Sequence, residues 1–264
     1  MNDIHNQAER RMYLIRALIS ERAELSGLKI PYSSGDQRRL LRALFNTREP
    51  LPVSDDFLRV QDEYLKAAIA EKGITCADDL EYSPESIAVW RGDITTLKCD
   101  AIVNAANSQL LGCFCPNHGC IDNAIHTYAG VQLRLKCAEI MLHEEHDEPT
   151  GRARITPAYN LPSRYVLHTV GPIITGDVTD EDCALLKSCY KSCLDAAADA
   201  NLQTIALCCI STGEFHFPAE LAARIAIDTV RGHEAVKSGR MRAIFNVFKE
   251  SDERIYRTLL SSNI

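Results

Sequence analysis

The stretch TIALCCIS, residues 204–211, runs apolar without the alternation that marks a solvent-facing strand. A strand built from it has both faces covered, the condition of a strand inside a largely parallel sheet. Around it, strand candidates and helical patterns take turns. IAVW (87–90), AIVNAA (101–106), ARITPAY and YVLHTVG within 150–172, and AIFNVF (243–248) read as strands. Residues 121–146, 180–200, Pro218 to about His233 and 251–261 read as helices. Strands alternating with helices predict an α/β domain with helices on both faces of the sheet.

The first 80 residues have a different character. Helical periodicity covers 6–25, about 36–46 and 55–72, with Met12, Leu14, Ile15, Leu18 and Ile19 on one apolar face. The Pro-containing TREPLPVS (47–54) reads as a linker. The division expected is a helical N-terminal extension over 1–80 and an α/β domain over 81–264. The extension shows no chemistry of its own, so packing or partner contact is its expected role.

The formal net charge of -7 argues against a nucleic-acid backbone binder, because no basic stripe offers counterion release. A small phosphorylated ligand held by backbone N–H groups remains compatible with it. No apolar run reaches about 18 residues, so no membrane span is expected. The start MNDIHNQAERR is polar and lacks the apolar core of a signal peptide. A cytoplasmic location follows as the default, and there the 11 cysteines are expected to be thiols, core residues or metal ligands rather than disulfides. Cys183, Cys189, Cys193, Cys208 and Cys209 read as small buried hydrophobes.

Three strand-to-helix loops lie where ligands sit in open α/β sheets. The first is RGDIT (91–95). The second, NAANSQLLGCFCPNHGCID (104–122), places three cysteines and a histidine within eight residues, directly before a helix start that carries Asp122. In the same loop Asn104 and Asn107 offer carboxamides suited to vicinal ribose hydroxyls, or Asn107 forms an Asx turn. The third, STGEFHFP (211–218), leaves a buried strand and enters a helix, the geometry for cradling phosphate, although it lacks a Walker lysine. Phe215 and Phe217 alternate with His216 there and serve either as core plugs or as a stacking surface for a planar base.

Together VWRGDIT, DAIVNAAN, CIDNAIHTYAG, ARITPAYNLPSRYVLHTVGP and ISTGEFHFP resemble, in the same order, the signature segments of a macrodomain over residues 81–264. The extension, with QRRLLRALFNTREPLPVSDDFLRVQDEYL, resembles that of the zinc-dependent macrodomains of bacteria and fungi. The resemblance implies a three-layer α/β/α fold around a mixed sheet, ADP-ribose as ligand, and hydrolysis of mono-ADP-ribose from a modified protein side chain, acidic or similar. Non-catalytic reading of ADP-ribose is the alternative. Where hydrolytic relatives usually carry a run of glycines, this chain has GCFCPNHGC. Its C-x4-H-x-C spacing gives Cys113, His118 and Cys120 as soft ligands suited to Zn2+, with a fourth position open as in catalytic zinc sites. Cys115 competes, and its ligation would close the site. The related branch carries GCF-x-P-x-H-x-C, which favours Cys113.

By the same resemblance Asp93 accepts from the adenine amine beside the Ile94 backbone. Ser211, Thr212, Gly213, Glu214 and Phe215 hold the diphosphate, with the N–H groups of Ile121 and Asp122 on its other side. Phe217 flanks the ligand, Asn107 orients the distal ribose, and Asp122 acts as general base. Zinc beside that ribose either polarises the scissile ester or a ribose hydroxyl, or lowers a bound water's pKa toward about 7. Glu214 replaces a small apolar residue and either bonds a group behind the site or faces solvent. His126 and His168 are expected to be packing residues. Oxidation of the thiols at 113, 115 and 120 offers a redox control through zinc release. The implied partners are a sirtuin-like ADP-ribosyltransferase and, as modified substrate, a lipoyl-carrier protein related to the glycine-cleavage H protein.

Overall fold

The computed structural model describes residues 6–144 and 146–262. The polar start read at Met1–His5 lies outside them. Helices α1 (Gln7–Ser20), α2 (Ser34–Asn46) and α3 (Asp55–Lys72) form the N-terminal unit. Each opens on a side chain that accepts a first-turn N–H: Asn6, Ser33 and Ser54. Their apolar faces close on one another through Leu14, Leu18, Leu41, Leu44, Phe57 and Leu65.

The body follows in the order β1 (Thr75–Cys76), β2 (Ile87–Arg91), β3 (Leu97–Lys98), β4 (Ala101–Ala106), α4 (Ile121–Ala129), α5 (Val131–Met141), β5 (Ala153–Pro157), β6 (Tyr165–Val170), α6 (Asp180–Asp199), β7 (Thr204–Leu207), α7 (Ala219–Gly232), α8 (Glu234–Lys237), β8 (Arg242–Val247) and α9 (Glu250–Ser261). The main sheet has the order β2-β8-β7-β4-β6-β5, while β1 pairs only with β3. All main-sheet pairings are parallel except β5 against β6, so the sheet is mixed, with helices on both faces. Burial follows from this topology. Every residue of β7 is buried, as both-face coverage requires, whereas edge strand β5 leaves Ile155 exposed. Among the described residues no helix is long and apolar enough to cross a membrane.

Two expected elements change. TIALCCIS is strand only to Leu207; Cys208 and Ile210 stay buried, but the chain turns away at Ser211, φ 64°. The single helix expected over 121–146 is two. Gly130, at φ 95°, breaks it, and a Cβ there would meet Gln61 Nε2 at 2.6 Å, so both the backbone and the space demand glycine.

The site follows from the centre of the sheet. β4 pairs with β7 only through Ala101–Ile205 and Ile102–Ala206, then runs on to Ala106 beside β6. The two strands part at their carboxyl ends. After β4 the chain builds one side of the sheet and after β7 the other, so the crevice between them is the switch point at which ligands bind in such sheets.

The two cores are tied by a buried cation. Arg134 of α5 donates Nε to Leu111 O at 2.6 Å and Nη1 to Phe45 O at 3.0 Å and to Arg48 O, at the end of α2. Burial lowers its pKa to about 10, which leaves it charged at neutral pH. Arg134→Met strands three carbonyls and is expected to reduce unfolding free energy by about 3 kcal/mol in urea titration. A loss below about 1 kcal/mol would show that water satisfies them instead.

Candidate functional site

The loop after β4 is shaped by its own side chains. Asn107 accepts Gln109 N at 3.1 Å and donates to Gly112 O at 3.0 Å, which is the Asx-turn alternative. Gly112 sits at φ 80°, where a Cβ would lie 2.6 Å from the His126 ring. Beyond it, Cys113, His118 and Cys120 converge, their ligand atoms all within 4.8 Å of one another. Cys113 Sγ is 3.5 Å from His118 Nδ1. Cys115 is exposed and lies outside this group. Cys120 caps α4, accepting Asn123 N at 3.4 Å.

The donor set suits a soft divalent ion: two sulfurs and an imidazole, partly exposed, on a tight loop. Burial pushes the Cys120 thiol up to about 12; the Asn123 N–H opposes this and the neighbouring Cys113 adds to it. Two crowded thiols behave in this way without a cation between them, and a bound cation reverses the balance. A second set, His126, Cys137 and His168, also lies within ligand distance but is fully buried. Both ring nitrogens of His168 are already engaged, Nδ1 with Asn104 at 3.2 Å and Nε2 with Thr156 at 3.0 Å. Burial pushes His168 down to about 4 and holds His126 well below its ordinary range, helped there by His168 and Arg134. Both rings lie neutral beneath the site, His168 bonded at both nitrogens and His126 with no hydrogen bond to either of its own among the described residues.

Asp122 rests on this floor. It is buried, and its Oδ1 accepts Asn104 Nδ2 at 2.8 Å and lies 3.5 Å from His126 Nε2. Burial pushes the carboxyl up to about 6, against the pull of Asn104 and Arg134. Asn104 itself is fully enclosed. Asn104 thus orients Asp122 through Nδ2, while its Oδ1 has no hydrogen-bond partner among the described residues.

In the loop after β7, Ser211 at φ 64° and His216 at φ 57° bracket a tight turn closed by Phe217 N donating to Ser211 O at 2.9 Å. Among the described residues the N–H groups of Gly213, Glu214 and Phe215 donate to no protein acceptor. These donors make an N–H nest suited to an anion, to which Ile121 and Asp122 add the N–H groups of a helix first turn. Of the two rings expected near a ligand, Phe217 is buried in the core and Phe215 is partly exposed. Ser211 is buried as well, its Oγ pressed against Gly171. Thr212 Oγ1 donates back to Cys209 O. Glu214 extends into solvent and brings Oε1 within 3.6 Å of His118 Nε2, so the anion nest and the thiol loop meet.

Asp93 starts a short turn over Ile94–Thr96, and its Oδ1 accepts from Thr95 N and Thr95 Oγ1. Its Oδ2 takes Lys72 Nζ at 2.8 Å. Burial works to raise its pKa, but the bonds from Lys72 and Thr95 win and hold it below the usual range. The Ile94 side chain is core.

Lys72 belongs to the extension, and it is not alone. Arg42 of α2 donates to His118 O and Asn123 Oδ1, and Asn46 accepts Asn117 N. The extension therefore reaches the residues around the candidate site as well as packing on the body. Nothing in QRRLLRALFN distinguishes Arg42 from its solvated neighbours, and Asn46 at a helix end reads as a cap.

A family model described as the macro domain matches residues 103–226. A protein named protein-ADP-ribose hydrolase from Treponema medium is 54% identical, covering 97% of this chain and 99% of its own. One from Staphylococcus aureus strain MRSA252 is 46% identical, covering 97% of both chains. Among solved structures, the Trypanosoma brucei macrodomain in complex with ADP-ribose gives a TM-score of 0.64 at 30% identity, over 83% of this chain and 94% of that one. The Oceanobacillus iheyensis macrodomain with ADP gives 0.61 at 35% identity, over 67% and 93%. With its sheet order, its N–H nest at the switch point and near full-length relatives at this identity, the chain belongs to the macro domain family.

Proposed function

We propose that this chain is a zinc-dependent protein-ADP-ribose hydrolase, removing mono-ADP-ribose from a protein side chain, an acidic one by preference. The observation that carries this reading is the convergence of Cys113, His118 and Cys120 immediately before Asp122, beside the open N–H nest of 213–215. The nest and the first turn of α4 suit a diphosphate. Asp93, in the loop just after β2, suits the adenine amine, and the one donor and one lone pair left on the Asn107 amide suit a ribose hydroxyl.

Zinc held by Cys113, His118 and Cys120 would supply Lewis acidity to the reaction. The chain's own residues do the rest. Asn104 fixes one oxygen of Asp122, leaving the other to take a proton from the attacking water. The water oxygen bonds to the anomeric carbon of the ribose as that carbon's bond to the side-chain oxygen breaks. The acidic side chain leaves as a carboxylate, the water's proton stays on Asp122, and the products are free ADP-ribose and the unmodified side chain. A soluble, cytoplasmic setting suits such a substrate. The lipoyl-carrier substrate and its sirtuin-like modifying enzyme rest on the family resemblance alone, and redox control rests on the exposed thiol Cys115 beside the group.

The test is release of ADP-ribose. Full-length protein purified without chelator is mixed with proteins mono-ADP-ribosylated on acidic side chains, a modified lipoyl carrier among them. One zinc per chain with stoichiometric release supports the proposal. Tight binding of free ADP-ribose with no release from any linkage would move the chain to the readers.

A further inference from the structure

We infer that Arg42 and Asn46 of α2 are positioning residues for the metal loop, so that the N-terminal extension sets the affinity of the site for its ion. This rests on the zinc reading above. Asn123 is the hub. It is fully buried, its N–H donates to Cys120 Sγ at 3.4 Å, and its amide Nδ2 donates to Cys113 O at 3.4 Å and Cys115 O at 3.0 Å. Its Oδ1 is held by Arg42, from Nη2 at 2.8 Å and Nε at 3.2 Å. The same Nη2 reaches His118 O at 2.9 Å. One guanidinium thus connects the backbone of His118 to Asn123, whose amide holds the Cys113 and Cys115 carbonyls and whose backbone N–H meets Cys120 Sγ.

Asn46, one turn further along α2, completes the hold. Its Oδ1 accepts Asn117 N at 2.9 Å and its Nδ2 donates to Thr127 Oγ1 at 2.9 Å. Asn117 is at φ 57°, the left-handed kink that turns the chain between Cys115 and His118. A loop with this kink and no regular structure needs outside bonds to keep three ligands converged before the ion arrives. Outer partners of this kind shape metal affinity by orienting the inner ligands. A lysine keeps the charge at 42 but cannot span His118 O and Asn123 Oδ1 with a planar fork.

The experiment uses full-length wild type, Arg42→Ala and Arg42→Lys, each loaded with one Zn2+ and titrated with a chromophoric chelator. Melting is followed in parallel with chelator in excess. Arg42→Ala is expected to bind zinc about 10–100-fold more weakly, with Arg42→Lys also weakened, while the zinc-free proteins melt close to wild type. Arg42→Lys carries the test should the alanine variant not fold. Wild type that holds no zinc would sink the zinc reading itself. Wild type that holds zinc, with both variants within threefold of its affinity, would overturn this inference alone and leave Arg42 as a brace between α2 and α4.

Discussion

Asp122→Asn is expected to lower the rate of ADP-ribose release at least 100-fold while leaving zinc content and free ADP-ribose affinity near wild type. The substitution is nearly isosteric. The new amide oxygen can still accept from Asn104, so the buried contact at 2.8 Å survives and the helix start keeps its shape. What disappears is the oxygen that accepts a proton. General bases contribute roughly 10²–10⁴ in rate, so the loss separates chemistry from binding. Single-turnover release from a modified protein measures it. A loss below about tenfold would show that Asp122 only holds the ligand, and the proton acceptor would have to be sought elsewhere.

The sheet was legible because a parallel sheet needs long apolar runs, and 101–106, 204–207 and 243–247 are such runs. The same property hid the ends. Cys208 and Ile210 are as buried as β7 itself, so burial alone could not separate strand from the packed loop beyond it. Period-two reasoning fails at Asn104 for a related reason: both faces of β4 are covered, and no alternation marks which side chain points to a ligand. Phe217 was ambiguous between plug and platform until the left-handed turns at Ser211 and His216 turned it inward. The thiol loop was the most readable part, since Cys113, His118 and Cys120 lie within eight residues and their convergence is a local matter. Arg42, Asn46, Lys72 and Arg134 were not readable. Each acts across tens of residues, from a helix whose charges look like any solvated face.

That local convergence makes a sharp prediction about which thiols matter. Cys120→Ser should reduce zinc per chain at least tenfold and release of ADP-ribose with it, whereas Cys115→Ser should leave both within a factor of two. Serine suits the first test better than alanine. Cys120 caps α4, and serine is among the best N-cap residues, so the bond from Asn123 N is replaced while the soft ligand is lost. A fall in zinc then reports coordination rather than a frayed helix. Cys115 is exposed and contributes its carbonyl, not its sulfur, to the loop's bonding through Asn123, so its thiol is dispensable to the fold. Metal content by elemental analysis and release by chromatography read the two variants side by side. Equal zinc loss in both would mean four sulfur and nitrogen ligands around a closed ion. The metal would then be structural, and Asp122 alone would have to carry the hydrolysis.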